Sequence, residues 1–292
     1  MTNWDEHKMV SIHENDPGAV PLEEETERES VEAAAKLSSK LIYEVIRRDG
    51  EEELARTKRS LFWSGTAAGI MISFSVLGEA ILRTYLPDAP WSFLIENFGY
   101  SLGFLLVIMG RMQLFTENTI TTVLPLMVKP TVHNFACVAR LWGIVLGANV
   151  LGAFCIATLY AHTPAIPENL GPALLSLSEH AIHMPAGESF FRAIPAGILV
   201  AAIVWMLPQA DESGFFIILT FTWLIAAGDF THIVAGSVEM AYLAVQGLLG
   251  PTEAVFGFFI PVLVGNIVGG TVVFALIAWG QVKDDVLAAE SR

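Results

Sequence analysis

The chain has 292 residues, 53% of them hydrophobic and only 16% charged, with a mean hydropathy of +0.55. The net charge of −14 at pH 7 excludes nucleic acid as a natural partner, because a polyanion is repelled. What remains is the profile of a polytopic membrane protein with a soluble extension, its partner the lipid bilayer.

Residues 1–29 are polar, acidic and without periodicity, and are expected to be a disordered tail. They lack an apolar core after Met1, so no cleaved signal peptide is expected. Residues 30–60 change character. Leu37, Leu41, Ile42, Val45, Ile46 and Leu54 fall at helical spacing among Lys40, Glu44, Arg47 and Arg48, which predicts an amphipathic helix with a break near Asp49-Gly50. Such a helix lies on a membrane, packs on its own protein, or binds a cytoplasmic partner.

Residues 61–282 hold six apolar stretches, and residues 283–292 form a short tail. The spans cover about 61–82, 92–127, 134–160, 190–207, 214–248 and 252–281. A bilayer core needs about 20 helical residues, so spans two and five have room for two half-helices each. Span two contains Arg111, Gln113, Glu117 and Asn118, and span five is interrupted at Gly228, Asp229, Phe230, Thr231 and His232. A helix broken at mid-membrane survives only within protein or against a water-filled cavity. An ionisable His at the break marks a functional site. Cys137 and Cys155 fall on one predicted helix about 27 Å apart, too far for a disulfide.

Lys58 and Arg59 precede span one, Lys129 lies between spans two and three, and Lys283 follows span six. Residues 161–189 contain no Lys or Arg. This bias predicts that both termini are cytoplasmic and that the long His-bearing segment is outside.

The two halves echo each other. Asn149-Val150-Leu151-Gly152-Ala153 in span three matches Asn266-Ile267-Val268-Gly269-Gly270 in span six. Each follows a broken segment at similar distance, and Ala68-Gly69-Ile70-Met71 matches Ala196-Gly197-Ile198-Leu199. Three spans per half impose opposite topology, and paired broken helices in an inverted repeat point to a mid-membrane permeation site. Half-helices starting near Thr116 and Thr231, each capped by its threonine, aim N–H groups and partial positive charge at the centre. Small anions suit such a place. Glu117 and Asp229 then support the breaks by neutralising helix dipoles or bonding loop backbone, and Asn149 and Asn266 hold the breaks open.

The Leu114-Phe115-Thr116 break, the His-bearing break after Ala-Ala-Gly and the paired Asn segments resemble the formate/nitrite transporter family over about residues 61–281. The Arg111-to-Thr119 wording and the acidic extension resemble its divergent YfdC-like branch. The resemblance implies an all-α, aquaporin-like subunit of six helices with helices two and five broken, and a homopentamer with one pore per protomer. It implies a channel for small monovalent anions or their protonated weak acids, such as formate, nitrite or hydrosulfide, in a bacterial inner membrane. His232 matches the central pore histidine and Thr116 the threonine facing it. Tyr100, Phe104, Leu114, Phe115 and either Leu224 or Ile225 match constriction residues. Two departures bear on selectivity. The spacing to the histidine is Gly228-x-x-x-His232, one residue longer than the family's, and Ala181 stands where a basic vestibule residue is common, flanked by His180 and His183. Arg111 has no assigned counterpart.

Other classes fit parts of the sequence. One is a channel for small neutral solutes. Another is a proton-coupled secondary transporter with the proton on His232, Asp229 or Glu117. An enzyme would have to be built on His162, His180 and His183 with Glu168 and Glu179, but His180-x-x-His183 is unspecific spacing in what reads as a solvated loop. No enzyme activity, metal or cofactor is therefore expected.

Overall fold

The computed structural model describes residues 37–290, and the expected disordered tail of residues 1–29 lies outside the described residues. Among the described residues the chain forms helices and no strands.

Helix α1 (Ser39–Ala55) starts where Ser38 Oγ accepts the Leu41 N–H at 3.3 Å. Its buried stripe is Ile42, Tyr43, Ile46 and Gly50, one face of a helix. The expected break at Asp49-Gly50 is absent and the helix is continuous. Glycine serves close approach here rather than a turn, since a Cβ on Gly50 would stand 2.0 Å from the Thr121 carbonyl oxygen. Pro125 has no N–H to offer that carbonyl, which opens the spot. Tyr43 Oη donates to the Leu124 carbonyl at 3.0 Å beside it. The bundle thus covers Ile42, Tyr43 and Ile46 of α1, while Leu41 and Val45 stay exposed, and nothing in the packing supports the expected cytoplasmic partner for residues 30–60. At its carboxyl end the helix stops short of residue 60, because Thr57 already caps the first membrane helix.

Among the described residues five helices are long and apolar enough to cross a bilayer: α2 (Lys58–Tyr85), α3 (Ser92–Met109), α5 (Val132–His162), α7 (Ala186–Gln209) and α10 (Glu253–Asp284), whose helical path runs on to Glu290. The short α4 (residues 115–128) completes the crossing begun by α3, and α9 (Ile233–Val245) completes the crossing begun by α8 (Gly214–Ala227). Phe191, Phe216, Phe256 and Ile277 remain exposed on the flanks, as expected where lipid is the solvent. The segment between α5 and α7 is not the solvated loop the sequence suggested. It forms α6 (Gly171–Ile182), with Leu174, Leu177 and Ile182 buried.

Small residues set the pairing in both halves. A Cβ on Gly69 would meet the Asn149 carbonyl oxygen at 2.0 Å, and one on Gly152 the Thr66 carbonyl oxygen at 2.3 Å, so α2 and α5 touch through backbone. In the second half a Cβ on Gly197 would meet the Asn266 carbonyl oxygen at 2.4 Å, and one on Gly269 the Ile194 carbonyl oxygen at 2.1 Å, which joins α7 to α10. The inverted repeat is therefore present in the packing as well as in the sequence echoes.

Candidate pore

Both broken spans stop in the same way. After α3 the chain turns at Gly110-Arg111, where Arg111 takes φ +50° and Met112 N–H bonds back to the Val107 carbonyl at 3.0 Å. After α8 it turns at Gly228-Asp229, where Asp229 takes φ +53° and Phe230 N–H bonds to the Ile225 carbonyl at 2.9 Å. This closure uses up the last carbonyls of each half-helix. Within the repeat, Arg111 and Asp229 hold equivalent positions.

A short extended stretch follows, and the second half-helices start at Phe115 and Ile233. Their first N–H groups are not capped by Thr116 or Thr231. Asn149 Oδ1 accepts from Phe115 N at 3.0 Å, while its Nδ2 donates to the Gly65 and Gln113 carbonyls at 2.8 Å each. Asn266 Oδ1 accepts from Ile233 N at 2.8 Å, while its Nδ2 donates to the Ala193 and Thr231 carbonyls at 2.8 and 3.1 Å. The sequence separations within the two clamps are 34 and 33 residues. Each Asn ties a broken segment to two neighbours and meets most of its own hydrogen-bonding capacity. Thr231 donates instead to the Ser189 carbonyl at 2.7 Å. The cap of α9 is His232 itself, whose Nδ1 accepts the Ala235 N–H at 3.3 Å.

That cap fixes the ring. With Nδ1 accepting, the proton sits on Nε2, which donates to Thr116 Oγ1 at 2.8 Å. Thr116 and His232 are 1% and 2% exposed. Phe104 lies edge-on to the His232 ring with centroids 5.0 Å apart, and Tyr100 packs on Phe104 with its ring tilted, centroids 5.2 Å apart. Tyr100, Phe104, His232 and Thr116 therefore form a continuous line. Of the other expected constriction residues, Leu114 is fully buried, while Phe115 turns its ring against Trp142 of α5. Ile225 is fully buried and Leu224 is 41% exposed, so Leu224 is not on the buried line.

Two cavities approach this line from opposite faces. The one beside α6 has a volume of about 220 Å³ and is walled by Glu79, Tyr100, His232, Glu239 and Phe258. The one beside α1 has a volume of about 880 Å³ and is walled by Asp49, Glu52, Glu53, Arg111 and Glu117. Phe104, Leu114 and Thr116 line neither cavity. On the α1 side Gln113 Nε2 donates to Glu53 Oε2 at 2.5 Å, and Asn118 Nδ2 donates to Gln113 Oε1 at 3.2 Å, so α1 is bonded directly to the first break. Glu117 stands in the first turn of α4, where a carboxylate favours the helix dipole.

On the α6 side Asp229 is bonded by Arg192 and accepts from His180 Nε2 at 3.0 Å. Arg192 also pairs with Glu188 at 2.6 Å, and Arg83 pairs with Glu96 at 2.6 Å. His183 Nδ1 lies 3.0 Å from the Glu179 carbonyl, and His162 Nε2 lies 3.2 Å from the Val245 carbonyl. The histidines on this side are therefore spent separately, and no cluster of three or more metal-binding side chains occurs among the described residues. Sequence reasoning missed Glu79, Glu239 and Arg83 as cavity residues, and Arg192 as the partner of Asp229. The signal was available for the two glutamates, since a carboxylate within an apolar span is a functional candidate by default.

The fold and the two asparagine-clamped breaks define a membrane channel subunit built as an inverted repeat. The sequence model of the formate/nitrite transporter family matches residues 40–280, and the chain belongs to that family. Inner membrane protein YfdC of Escherichia coli is 44% identical over 245 residues, which is 84% of this chain and 79% of the relative. Formate channel FocA of Haemophilus influenzae is 27% identical over 269 residues, 81% of this chain and 93% of the relative. A solved pentameric formate channel with formate bound superposes with a TM-score of 0.66 at 23% identity, covering 76% of this chain and 96% of that one.

Proposed function

We propose that the protein is a channel for small monovalent anions or their protonated weak acids, of the formate, nitrite and hydrosulfide kind, with one pore in each protomer of a homopentamer. The observation that carries this reading is the Thr116–His232 pair, buried between two half-helix N-termini. Positive helix ends favour an anion on its approach, and the apolar line of Tyr100, Phe104 and Leu114 favours a neutral guest in the narrowest part. A weak acid satisfies both conditions. His232 offers it a hydrogen bond there. The family and the relatives named above support the substrate class and the pentamer. The protein resides in the bacterial inner membrane with both termini cytoplasmic, a reading supported by the Lys/Arg bias.

The test is flux through the purified protein in liposomes. Formate, nitrite and hydrosulfide should pass faster than uncharged glycerol or urea at every pH. Faster passage of the neutral solutes would overturn the reading in favour of a neutral-solute channel. Native mass spectrometry should give a pentamer. A cysteine placed at Glu168 in a background lacking Cys137 and Cys155 should be labelled from outside, and labelling from inside only would reverse the topology.

A further inference from the structure

The α6-side cavity has an unusual wall for an anion pathway. Glu79 of α2 and Glu239 of α9 both line it, and they are only 6% and 9% exposed. Among the described residues neither carboxyl has a hydrogen-bond or ion-pair partner. The hydroxyl of Tyr100, on the same wall and 7% exposed, has no hydrogen-bond partner among them either. Three polar groups are thus buried, unpartnered and turned to one space. Buried polar groups ordinarily find partners, and those that do not are reserved for a guest or for water.

The surrounding charges do not neutralise the pair. Arg83 on α2 is engaged by Glu96 of α3 at 2.6 Å, and Arg192 of α7 is engaged by Asp229 and Glu188. His180 of α6 is bonded to Asp229, and His232 is bonded to Thr116 and Ala235. Two carboxyls facing one small cavity without a free cation do not both ionise readily, and one proton between them relieves the repulsion. An ionised pair would also repel the very anion the pore is meant to pass.

We propose that Glu79 and Glu239 form a proton-loading site at the outer mouth, which hands its proton to an incoming weak-acid anion before the guest reaches Tyr100 and Phe104. This rests on the reading of the pore as a weak-acid pathway. In the step, the O–H bond of the glutamic acid breaks and an O–H bond forms on the guest carboxylate. The guest goes on as the neutral acid, and the glutamate left behind takes a new proton from the outer water. A permanently cationic guest fits the carboxylates but not the positive half-helix ends below them.

The experiment uses the pentamer in liposomes with formate as the probe, together with E79Q, E239Q, the double variant and E239D. Infrared spectra of the same samples at neutral pH read the C=O stretch of a protonated carboxyl. The parent should show that band, each single variant should weaken it, and the double variant should lose it. Formate flux at neutral pH should fall about a hundredfold in the Gln variants, the scale of a lost general acid, and should no longer rise as the outer pH falls. E239D should keep most of the pH dependence. Elution of each variant as a pentamer controls for folding. Gln variants that match the parent in flux and pH profile would overturn the proposal, as would a parent without the infrared band. If the parent passes no formate at any pH, the channel reading falls, and the infrared band still decides whether the pair holds a proton. Faster flux of methylammonium than of formate would make the cavity a cation site and overturn the proposal.

Discussion

Arg111 and Asp229 occupy equivalent left-handed positions at the two breaks, with φ of +50° and +53°. Both follow a glycine and both end a half-helix, yet their charges are opposite. Arg111 is exposed on the α1-side cavity, with no ion pair among the described residues, whereas Asp229 is held by Arg192 and His180. A non-glycine residue in this conformation costs about 1 kcal/mol. Arg111→Gly should therefore raise stability by about 0.5 kcal/mol once the extra freedom of glycine in the unfolded chain is deducted. Asp229→Gly gains the same relief but removes one of the two carboxylates that hold Arg192 and the partner of His180, and should be neutral or destabilising. Thermal unfolding of the two variants in detergent makes the comparison.

The asparagine clamps should be among the least replaceable residues. Each Asn, fully buried, makes three hydrogen bonds to backbone groups that lipid cannot satisfy. Asn149→Leu and Asn266→Leu should each cost about 3 kcal/mol or more, counting about 1 kcal/mol per lost bond. The Asp variants keep the acceptor for Phe115 or Ile233 but set a carboxylate oxygen against two carbonyls, and should be no better. A Leu variant with the parent's unfolding temperature would refute the clamp.

Much of this pore was legible in the chain because its parts interrupt a pattern. Gly228 through His232 break an otherwise apolar run, and the Asn segments repeat. The Thr116–His232 pairing follows from placing the two breaks at one depth. Other parts were illegible for physical reasons. Asp49-Gly50 is a turn signal in any local reading, and only the approach of Thr121 from elsewhere in the chain explains why the helix continues. Thr116 and Thr231 are good N-caps by type, but the distant Asn149 and Asn266 reach the first N–H groups instead, and His232 takes the capping position. The segment holding α6 looked like loop because His180, His183 and several prolines surround it, while its apolar residues Leu174, Leu177 and Ile182 are too few to outweigh them without the bundle beneath.

Gly50 gives a test of how α1 is attached. Alanine there would place a Cβ 2.0 Å from the Thr121 carbonyl oxygen and 3.1 Å from Pro125 Cγ. Ala favours helix over Gly by about 1 kcal/mol, so the helix itself would not suffer. The prediction is that Gly50→Ala detaches α1 while leaving the membrane helices folded. Limited proteolysis should then cut within residues 39–55, and the Tyr43–Leu124 and Gln113–Glu53 contacts should be lost together.

The same helix should respond to pH in two opposite ways. Arg47, together with Arg48, holds the Glu44 carboxyl down to about 2 through hydrogen bonds and charge. A carboxyl lowered on folding contributes stability above its unfolded value near 4.5, and that contribution is lost as pH falls toward 2. Asp49 runs the other way, since burial beside the α1-side cavity raises its carboxyl. Its ionised form opposes docking at neutral pH, and the opposition lifts as pH falls through its raised value. Asp49→Asn should thus protect α1 from proteolysis at pH 7 and have little effect in acid. Glu44→Gln should weaken α1 at pH 7 and make no difference near pH 2.

His232 is both the cap of α9 and the donor to Thr116, and the two roles constrain each other. Protonating the ring would turn Nδ1 from acceptor to donor and forfeit the bond from Ala235 N–H. The ring therefore acts as a neutral donor through Nε2, and a guest is received by exchanging Thr116 Oγ1 for one of its own oxygens on that N–H. Asparagine is itself a favourable N-cap, so His232→Asn should fold, assemble and unfold within about 1 kcal/mol of the parent. It removes the ring and its reach to Thr116. The expected outcome is a fall in formate flux by about the same factor at every pH, corresponding to one lost hydrogen bond of about 1–2 kcal/mol in the narrowest part, or roughly five- to thirtyfold. Thr116→Val keeps the shape, leaves the donor unpartnered before the guest arrives, and should not repeat that loss. If His232→Asn instead abolishes the pH dependence of flux while keeping its magnitude in acid, the ring carries the proton itself and the neutral-donor account fails.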